Sequence, residues 1–191
     1  MVGLVQKMKM SMSRVLILTG APGVGKTTVL TKTVDALKAK GVRVGGMVTR
    51  EVREDNVRVG FEILDLTNNK HGWLAHVKGQ EGPQVGKYNV NLKDLDIIGT
   101  TAITQALEKC DVIVIDEIGP MELFSQKFKQ VVTQALESKK LMLTVVHGKA
   151  KDPLVTQIKR RVDAEIFNVT FSNREDLTKQ LPNKVFELML T

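Results

Sequence analysis

The residues best suited to chemistry lie in the stretch GAPGVGKTT at positions 20–28. It fits the pattern G-x-x-x-x-G-K-[ST], in which backbone N–H groups wrap a polyphosphate because glycine has no Cβ to block close approach. The lysine of the pattern brings a positive charge to the β- and γ-phosphates, and the threonine offers its hydroxyl to Mg²⁺. We therefore predict a nucleotide-binding loop formed by Gly20, Ala21, Pro22, Gly23, Val24, Gly25, Lys26, Thr27 and Thr28.

The sequence on either side of this loop fits the same interpretation. Residues 14–19, RVLILT, form a short apolar run rich in β-branched residues, and Leu30, Val34 and Leu37 recur at helical spacing. A strand, the loop and a helix thus follow one another in the order that phosphate binding at a helix N-terminus requires. The alternative, a glycine-rich turn that contains Lys-Thr by chance, does not account for this order.

Two adjacent carboxylates, Asp116 and Glu117, follow the apolar run 112–115 in DVIVIDEIGP. An aspartate at the end of a buried strand can hold Mg²⁺ together with Thr27, and a neighbouring glutamate can orient and deprotonate a water for in-line attack on the γ-phosphate. The alternative is that both carboxylates only cap the turn before Pro120. With a phosphate loop in the same chain, we predict Thr27 and Asp116 as metal ligands and Lys26 and Glu117 as catalytic residues.

The elements that must position these groups alternate between strand and helix patterns. Strands are predicted over 14–19, 42–49, 112–115, 141–146 and 164–170. Helices are predicted over 26–39, 91–109, 121–137 and 152–161, with a last helix that begins at a capping box, Ser172 to Glu175, and is bent or broken at Pro182. The alternation predicts an α/β fold: a three-layer sandwich around a mainly parallel five-strand core sheet.

Two segments depart from this alternation. Residues 50–90 combine alternating apolar residues with frequent glycines, which predicts antiparallel hairpins in a β-rich flap inserted beside the nucleotide site. Residues 1–13 lack a continuous apolar region and predict a flexible N-terminal extension rather than a secretory signal. We expect a single domain over residues 14–191.

Composition narrows the class of protein. Hydrophobic residues make up 42% and charged residues 26% of the chain, and no apolar run approaches the roughly 18 residues of a membrane span. The single cysteine, Cys110, fits a reducing cytoplasm. The net charge is +7, but the basic residues are spread over the chain and only 4% of residues are aromatic. We therefore expect a cytoplasmic monomer with no membrane partner and no nucleic-acid partner.

Four segments give the chain, from residue 14 onward, a specific resemblance to a known family. They are LTGAPGVGKTT (18–28), GGMVTREVREDNVRVGFEILDL (45–66), DVIVIDEIGPMELFSQKF (111–128) and FNVTFSNRED (167–176). The chain resembles the small phosphate-loop nucleoside-triphosphatases of the cancer-related nucleoside-triphosphatase type. The resemblance implies Mg²⁺-dependent hydrolysis of ATP, GTP and other nucleoside triphosphates to diphosphates, with broad base tolerance and slow turnover. Pro120 departs from the lysine expected there.

The resemblance also implies that strand 141–146 lies between the first strand and the strand of Asp116. His147, just past strand 141–146, would then come near the γ-phosphate; the alternative is a loop histidine in solvent. Asn173 and Arg174, after the last strand, could border or stack on the base, or merely begin a helix. Arg160 and Arg161 could act as an arginine finger, although we favour stabilisation of a helix end.

Three functions stay open from the sequence. The first is a nucleoside-triphosphatase with water as the acceptor, and the second is a small-molecule or nucleotide kinase whose insertion over 50–90 binds an acceptor. Glu117 favours water, because a kinase must exclude it. The third is an RNA-associated nucleotide switch, which only the basic charge suggests.

Overall fold

The computed structural model describes residues 13–79 and 81–190. The predicted N-terminal extension lies outside the described residues except for Ser13, which is buried. The strands of the described residues are β1 (Val15–Thr19), β2 (Val44–Glu54), β3 (Val57–Asp65), β4 (His71–His76), β5 (Gln84–Val85), β6 (Tyr88–Val90), β7 (Val112–Ile118), β8 (Leu141–Val146) and β9 (Ala164–Asn168). The longer helices are α1 (Lys26–Ala39), α2 (Thr100–Lys109), α3 (Gln126–Glu137), α4 (Pro153–Arg160) and α5 (Arg174–Met189). A single α-helical turn, Leu92–Asp94, and a π-helical turn, Leu95–Gly99, lead into α2.

The nine described strands form one mixed sheet in the order β5-β6-β4-β3-β2-β7-β8-β1-β9. Neighbouring strands among β2, β7, β8, β1 and β9 are parallel, and the remaining pairs are antiparallel. The α/β fold is therefore confirmed. So is the place of β8 between β1 and β7, which the resemblance implied.

The predicted division into a five-strand core and a separate flap is wrong. β2 is longer than expected and runs to Glu54. Its first four residues, Val44–Met47, pair with β7, and the stretch Met47–Glu54 pairs with β3. Strands β3, β4, β6 and β5 extend the sheet from β2 without a break. The inserted segment is thus the antiparallel half of one continuous nine-stranded sheet.

Alternating side chains of the parallel strands point into two cores, one on each face of the sheet. In β1, Ile17 belongs to the core under α2, α3 and α4, whereas Leu18 belongs to the core under α1 and α5. Coverage on both faces explains why β1 and β8 are almost continuously apolar. Among the described residues, none of the helices combines the length and the apolar composition needed to cross a membrane.

Several predicted helices differ in the structure. Only the second part of the helix predicted over 91–109 is the regular α-helix α2, because Leu95–Gly99 is a π-helical turn. The helix predicted over 121–137 is divided, because Glu122–Phe124 is a short 3-10 turn and the Ser125 hydroxyl accepts a bond from the Phe128 N–H (3.0 Å), which starts α3. The predicted capping box is absent: Ser172 binds the Thr170 hydroxyl (3.0 Å) and α5 begins at Arg174. Pro182 does not break α5, which continues to Met189.

Candidate active site

The loop between β1 and α1 has the backbone conformation that phosphate binding requires. Gly20, Gly23 and Gly25 have φ angles of +145°, +75° and +104°, a region that residues with a Cβ rarely adopt. A Cβ on Gly20 would also lie 2.5 Å from the carbonyl oxygen of Val169, so any residue larger than glycine would clash at this position. The loop ends at Gly25, the residue that caps the N-terminus of α1, and a helix N-terminus favours an anion.

Lys26 and Thr27 open α1 directly behind the loop. The Lys26 ammonium donates to the carbonyl oxygens of Gly20 (3.2 Å) and Ala21 (3.1 Å), so its charge lies folded over the loop. The Thr27 side chain lies beside the carboxylate of Asp116, where hydrogen bonding by its hydroxyl lowers the pKa of Asp116. The first turn of α1 therefore connects the phosphate loop with the carboxylates of β7.

The pairing of β7 with β8 is interrupted at the two carboxylates. Ile115 is paired with Thr144 and pairing resumes between Ile118 and Val146, so Asp116 and Glu117 lie in the interruption. There the Thr144 hydroxyl donates to the carbonyl oxygen of Ile115 (2.8 Å). The strand is predicted to end at Ile115, but β7 continues to Ile118, so both carboxylates belong to the strand itself.

Asp116 is 1% exposed, and its Oδ2 has no hydrogen-bond partner among the described residues. Burial raises the pKa of Asp116 to about 7; the bond from Thr27 opposes this rise, and the charge of Glu117 adds to it. An unpartnered carboxylate oxygen in a buried position is costly unless it binds a cation or a proton. The site of Asp116 is therefore suited to a metal ion.

Glu117 is half-buried beside two basic side chains. Burial raises the pKa of Glu117, and the charges of His147 and Lys26 act in the opposite direction. His147 follows β8, and its backbone N–H donates to the carbonyl oxygen of Ile118 (3.1 Å), which fixes it next to β7. The structure thus brings together Lys26, Glu117 and His147.

A third carboxylate, Glu122, belongs to the same cluster and was missed from the sequence. It is 3% exposed, and its Oε2 accepts the N–H of Gly119 (3.1 Å). Burial, with the charges of Glu117 and Asp116, raises the pKa of Glu122 to about 8. A Cβ on Gly119 would lie 2.6 Å from Oε1 of Glu117 and 3.2 Å from Oε2 of Glu122, so this glycine separates the two carboxyl groups.

The loop between β9 and α5 contains the two residues predicted near the base. The Asn173 amide is used within the loop: its oxygen accepts the N–H of Thr170 (2.8 Å) and its nitrogen donates to the carbonyl oxygen of Asn168 (2.9 Å). The Arg174 side chain lies against the phosphate loop, since its Cδ is 3.5 Å from the position of a Cβ on Gly25. Of these two residues, only Arg174 has a side-chain polar group near the phosphate loop.

The arginines considered as fingers are placed differently. Arg161 binds both carboxylate oxygens of Asp163, at 2.8 and 3.0 Å, before the first residue of β9. That is the end of the parallel strands opposite to the phosphate loop, because Ala164 pairs with Val15 and Asn168 pairs with Thr19. Arg160 is exposed in the last turn of α4. The structure brings neither arginine into the cluster around Glu117.

The donor set fits Mg²⁺ delivered with a nucleotide. Within residues 13–79 and 81–190, no group of three or more His, Cys, Asp or Glu residues could hold a metal by itself. Mg²⁺ takes oxygen ligands and is usually bound by one or two protein groups together with substrate phosphates and water. The Thr27 hydroxyl and the unpartnered oxygen of Asp116 supply such a pair.

The fold and the site together define an α/β protein of the phosphate-loop class, with the loop after β1 and the acidic pair on β7, separated by β8. A family model described as NTPase matches residues 15–182. The chain therefore belongs to the NTPase family.

Individual relatives agree with this membership. The chain is 44% identical to nucleoside-triphosphatase THEP1 of Thermofilum pendens over 174 residues, covering 91% of this chain and 96% of the relative. It is 46% identical to the protein of the same name from Methanosarcina acetivorans over 170 residues, with 88% and 95% covered. The solution structure of a human cancer-related nucleoside triphosphatase is similar at a TM-score of 0.78 and 38% identity, covering 92% of this chain and 98% of that one.

Proposed function

We propose that this chain hydrolyses nucleoside triphosphates, ATP and GTP among them, to nucleoside diphosphate and phosphate in the presence of Mg²⁺. The observation that carries the proposal is that the phosphate loop, with Lys26, faces a pair of adjacent carboxylates, the buried Asp116 and the half-buried Glu117, across one intervening strand. The names of the relatives, nucleoside-triphosphatase, support the same reaction.

In the proposed reaction, a water attacks the γ-phosphorus as the bond to the β–γ bridging oxygen breaks. Glu117 orients this water and takes its proton, and burial makes its carboxylate a stronger base than an exposed glutamate. Lys26 leaves the loop carbonyls to contact the β- and γ-phosphates. His147, beside Glu117, is a second contact for the γ-phosphate.

Thr27 and Asp116 would hold the Mg²⁺ of the nucleotide, which neutralises phosphate charge when bound. The unpartnered oxygen of Asp116 supports this role. We also propose that Arg174 contacts the nucleotide near Gly25, whereas Asn173 shapes the loop that carries it. The cytoplasm, a monomer, a single domain over residues 14–191 and the absence of a nucleic-acid partner stay predictions.

Release of phosphate from ATP tests the proposal, with and without Mg²⁺ and with nucleosides or nucleoside monophosphates as candidate acceptors. We expect phosphate to appear at the same rate with and without the acceptors, and Lys26→Ala to weaken triphosphate binding and nearly abolish turnover. Lys32→Ala is the matched control, because it removes an equal charge from an exposed position of the same helix. Transfer of the phosphoryl group to an acceptor instead of water would favour the kinase alternative and contradict the proposal.

A further inference from the structure

Phe171 exposes an aromatic ring beside the phosphate loop. The side chain is 71% exposed, although it lies in the internal connection between β9 and α5 rather than at a chain end. Exposing a large apolar ring has no folding benefit, since its burial would be worth about 1.5–3 kcal/mol. The face of the Phe171 ring is therefore open to a ligand.

The loop that carries Phe171 is held by its own hydrogen bonds. Asn173 accepts the N–H of Thr170 and donates to the carbonyl oxygen of Asn168, while the N–H of Asn173 donates to the Thr170 hydroxyl (3.2 Å). The Ser172 hydroxyl also bonds with the Thr170 hydroxyl (3.0 Å). These bonds fix the backbone on both sides of Phe171, so the ring is presented from a preorganised loop.

The same loop is joined to the phosphate loop. The N–H of Val169 donates to the carbonyl oxygen of Thr19 (2.7 Å), the residue before Gly20. Arg174 links the two loops. Its side chain lies against Gly25 of the phosphate loop, and its guanidinium carbon lies 5.3 Å from the centre of the Phe171 ring. The positive charge of Arg174 thus lies next to both the phosphate loop and the exposed aromatic ring.

We propose that Phe171 is the stacking platform for the base of the nucleoside triphosphate, with Arg174 between the ring and the phosphates. This inference rests on the proposed function, because it takes the phosphates to lie in the loop over 20–28. A phenyl ring stacks on any purine or pyrimidine, since every base has a π-face, and it makes no hydrogen bond that selects one of them. The platform therefore supplies affinity for the base without strong selectivity.

The test compares a ligand that has a base with one that lacks it. ATP, CTP and inorganic tripolyphosphate, each with Mg²⁺, are titrated calorimetrically into the full chain and into Phe171→Ala and Phe171→Tyr. Loss of one stacked base corresponds to about a fivefold to hundredfold weaker binding. We expect Phe171→Ala to weaken ATP binding by this factor, CTP binding by less, and tripolyphosphate binding by less than twofold, and we expect Phe171→Tyr to restore both nucleotides.

Val162→Ala is the matched control, because Val162 is also strongly exposed (82%) but precedes β9, at the far end of the strands. It should leave all three affinities unchanged. Unchanged ATP binding in Phe171→Ala would overturn the inference and leave the proposed function standing. Equal losses of affinity for ATP and tripolyphosphate would also overturn the inference, because the ring would then maintain the shape of the phosphate loop instead of contacting the base. Failure of the wild-type chain to bind any of the three ligands would instead contradict the proposed function, and the inference with it.

Discussion

Replacing Glu122 by glutamine should change how stability depends on pH. Burial raises the pKa of Glu122 to about 8 from an ordinary value of 4.5. The folded state therefore holds this proton more tightly than the unfolded state, so the free energy of unfolding is highest below about pH 4.5 and falls until the pH passes about 8. At about 1.4 kcal/mol for each pKa unit, Glu122 accounts for a fall on the order of 5 kcal/mol over the whole range from about pH 4.5 to about pH 8.

Urea unfolding at pH 5 and pH 8, followed by the fluorescence of Trp73, measures this effect. The Glu122→Gln variant keeps an oxygen acceptor for the N–H of Gly119 but cannot ionise, so it should lose less stability than wild type between the two pH values. The loss that remains in the variant comes from Asp116, whose pKa of about 7 lies in the same range. Glu108→Gln, at an exposed position of α2, is the control and should behave as wild type. Equal losses in wild type and Glu122→Gln would refute the burial of an ionisable Glu122.

Three further predictions concern the site and its specificity. Thr144→Val keeps the side-chain shape but removes the hydroxyl that donates to the buried carbonyl oxygen of Ile115, so urea unfolding should show a loss of about 0.5–1.5 kcal/mol, and unchanged stability would argue against this bond. Gly119→Ala places a methyl group 2.6 Å from Oε1 of Glu117; kcat should fall while ATP affinity stays within a few-fold, and a normal kcat would contradict the placement of Glu117. ATP, GTP, CTP and UTP should be hydrolysed within about a tenfold range of kcat/KM, about 1.4 kcal/mol, and a thousandfold preference for one base would contradict stacking without base selection.

Local patterns in the sequence predict the parallel half of the fold and the phosphate loop. The loop depends on residues 20–28 alone, and α1 occupies the predicted residues Lys26–Ala39. Strand β8 also has its predicted bounds, because six buried residues between two polar segments leave little freedom. The strand order, in contrast, came from the resemblance to a family, since apolar runs do not encode which strands are neighbours.

The features that the sequence did not predict depend on contacts between distant segments. Strand β2 continues past the predicted residue 49 because β3 folds back on it and pairs with its polar second half. Glu122 resembles a surface residue in the sequence, and only the turn after β7 buries it beside Glu117. In the sequence, Thr144 differs from its neighbours only as a polar residue inside an apolar run. Its hydroxyl binds β7 next to the carboxylate pair, a contact that this pattern alone does not predict.

Single-turnover hydrolysis of ATP by Glu117→Gln tests the central claim most directly. Glutamine keeps the shape of the side chain but removes the base, whereas Lys26, Thr27 and Asp116 stay in place to bind the nucleotide. ATP affinity, measured by titration, should therefore stay within a few-fold of wild type while the single-turnover rate falls by about 10²–10⁴. Asp116→Asn is the comparison variant and should also weaken the Mg²⁺-dependent part of binding. A near-normal single-turnover rate in Glu117→Gln would contradict the account, because water would then be activated by a group other than Glu117.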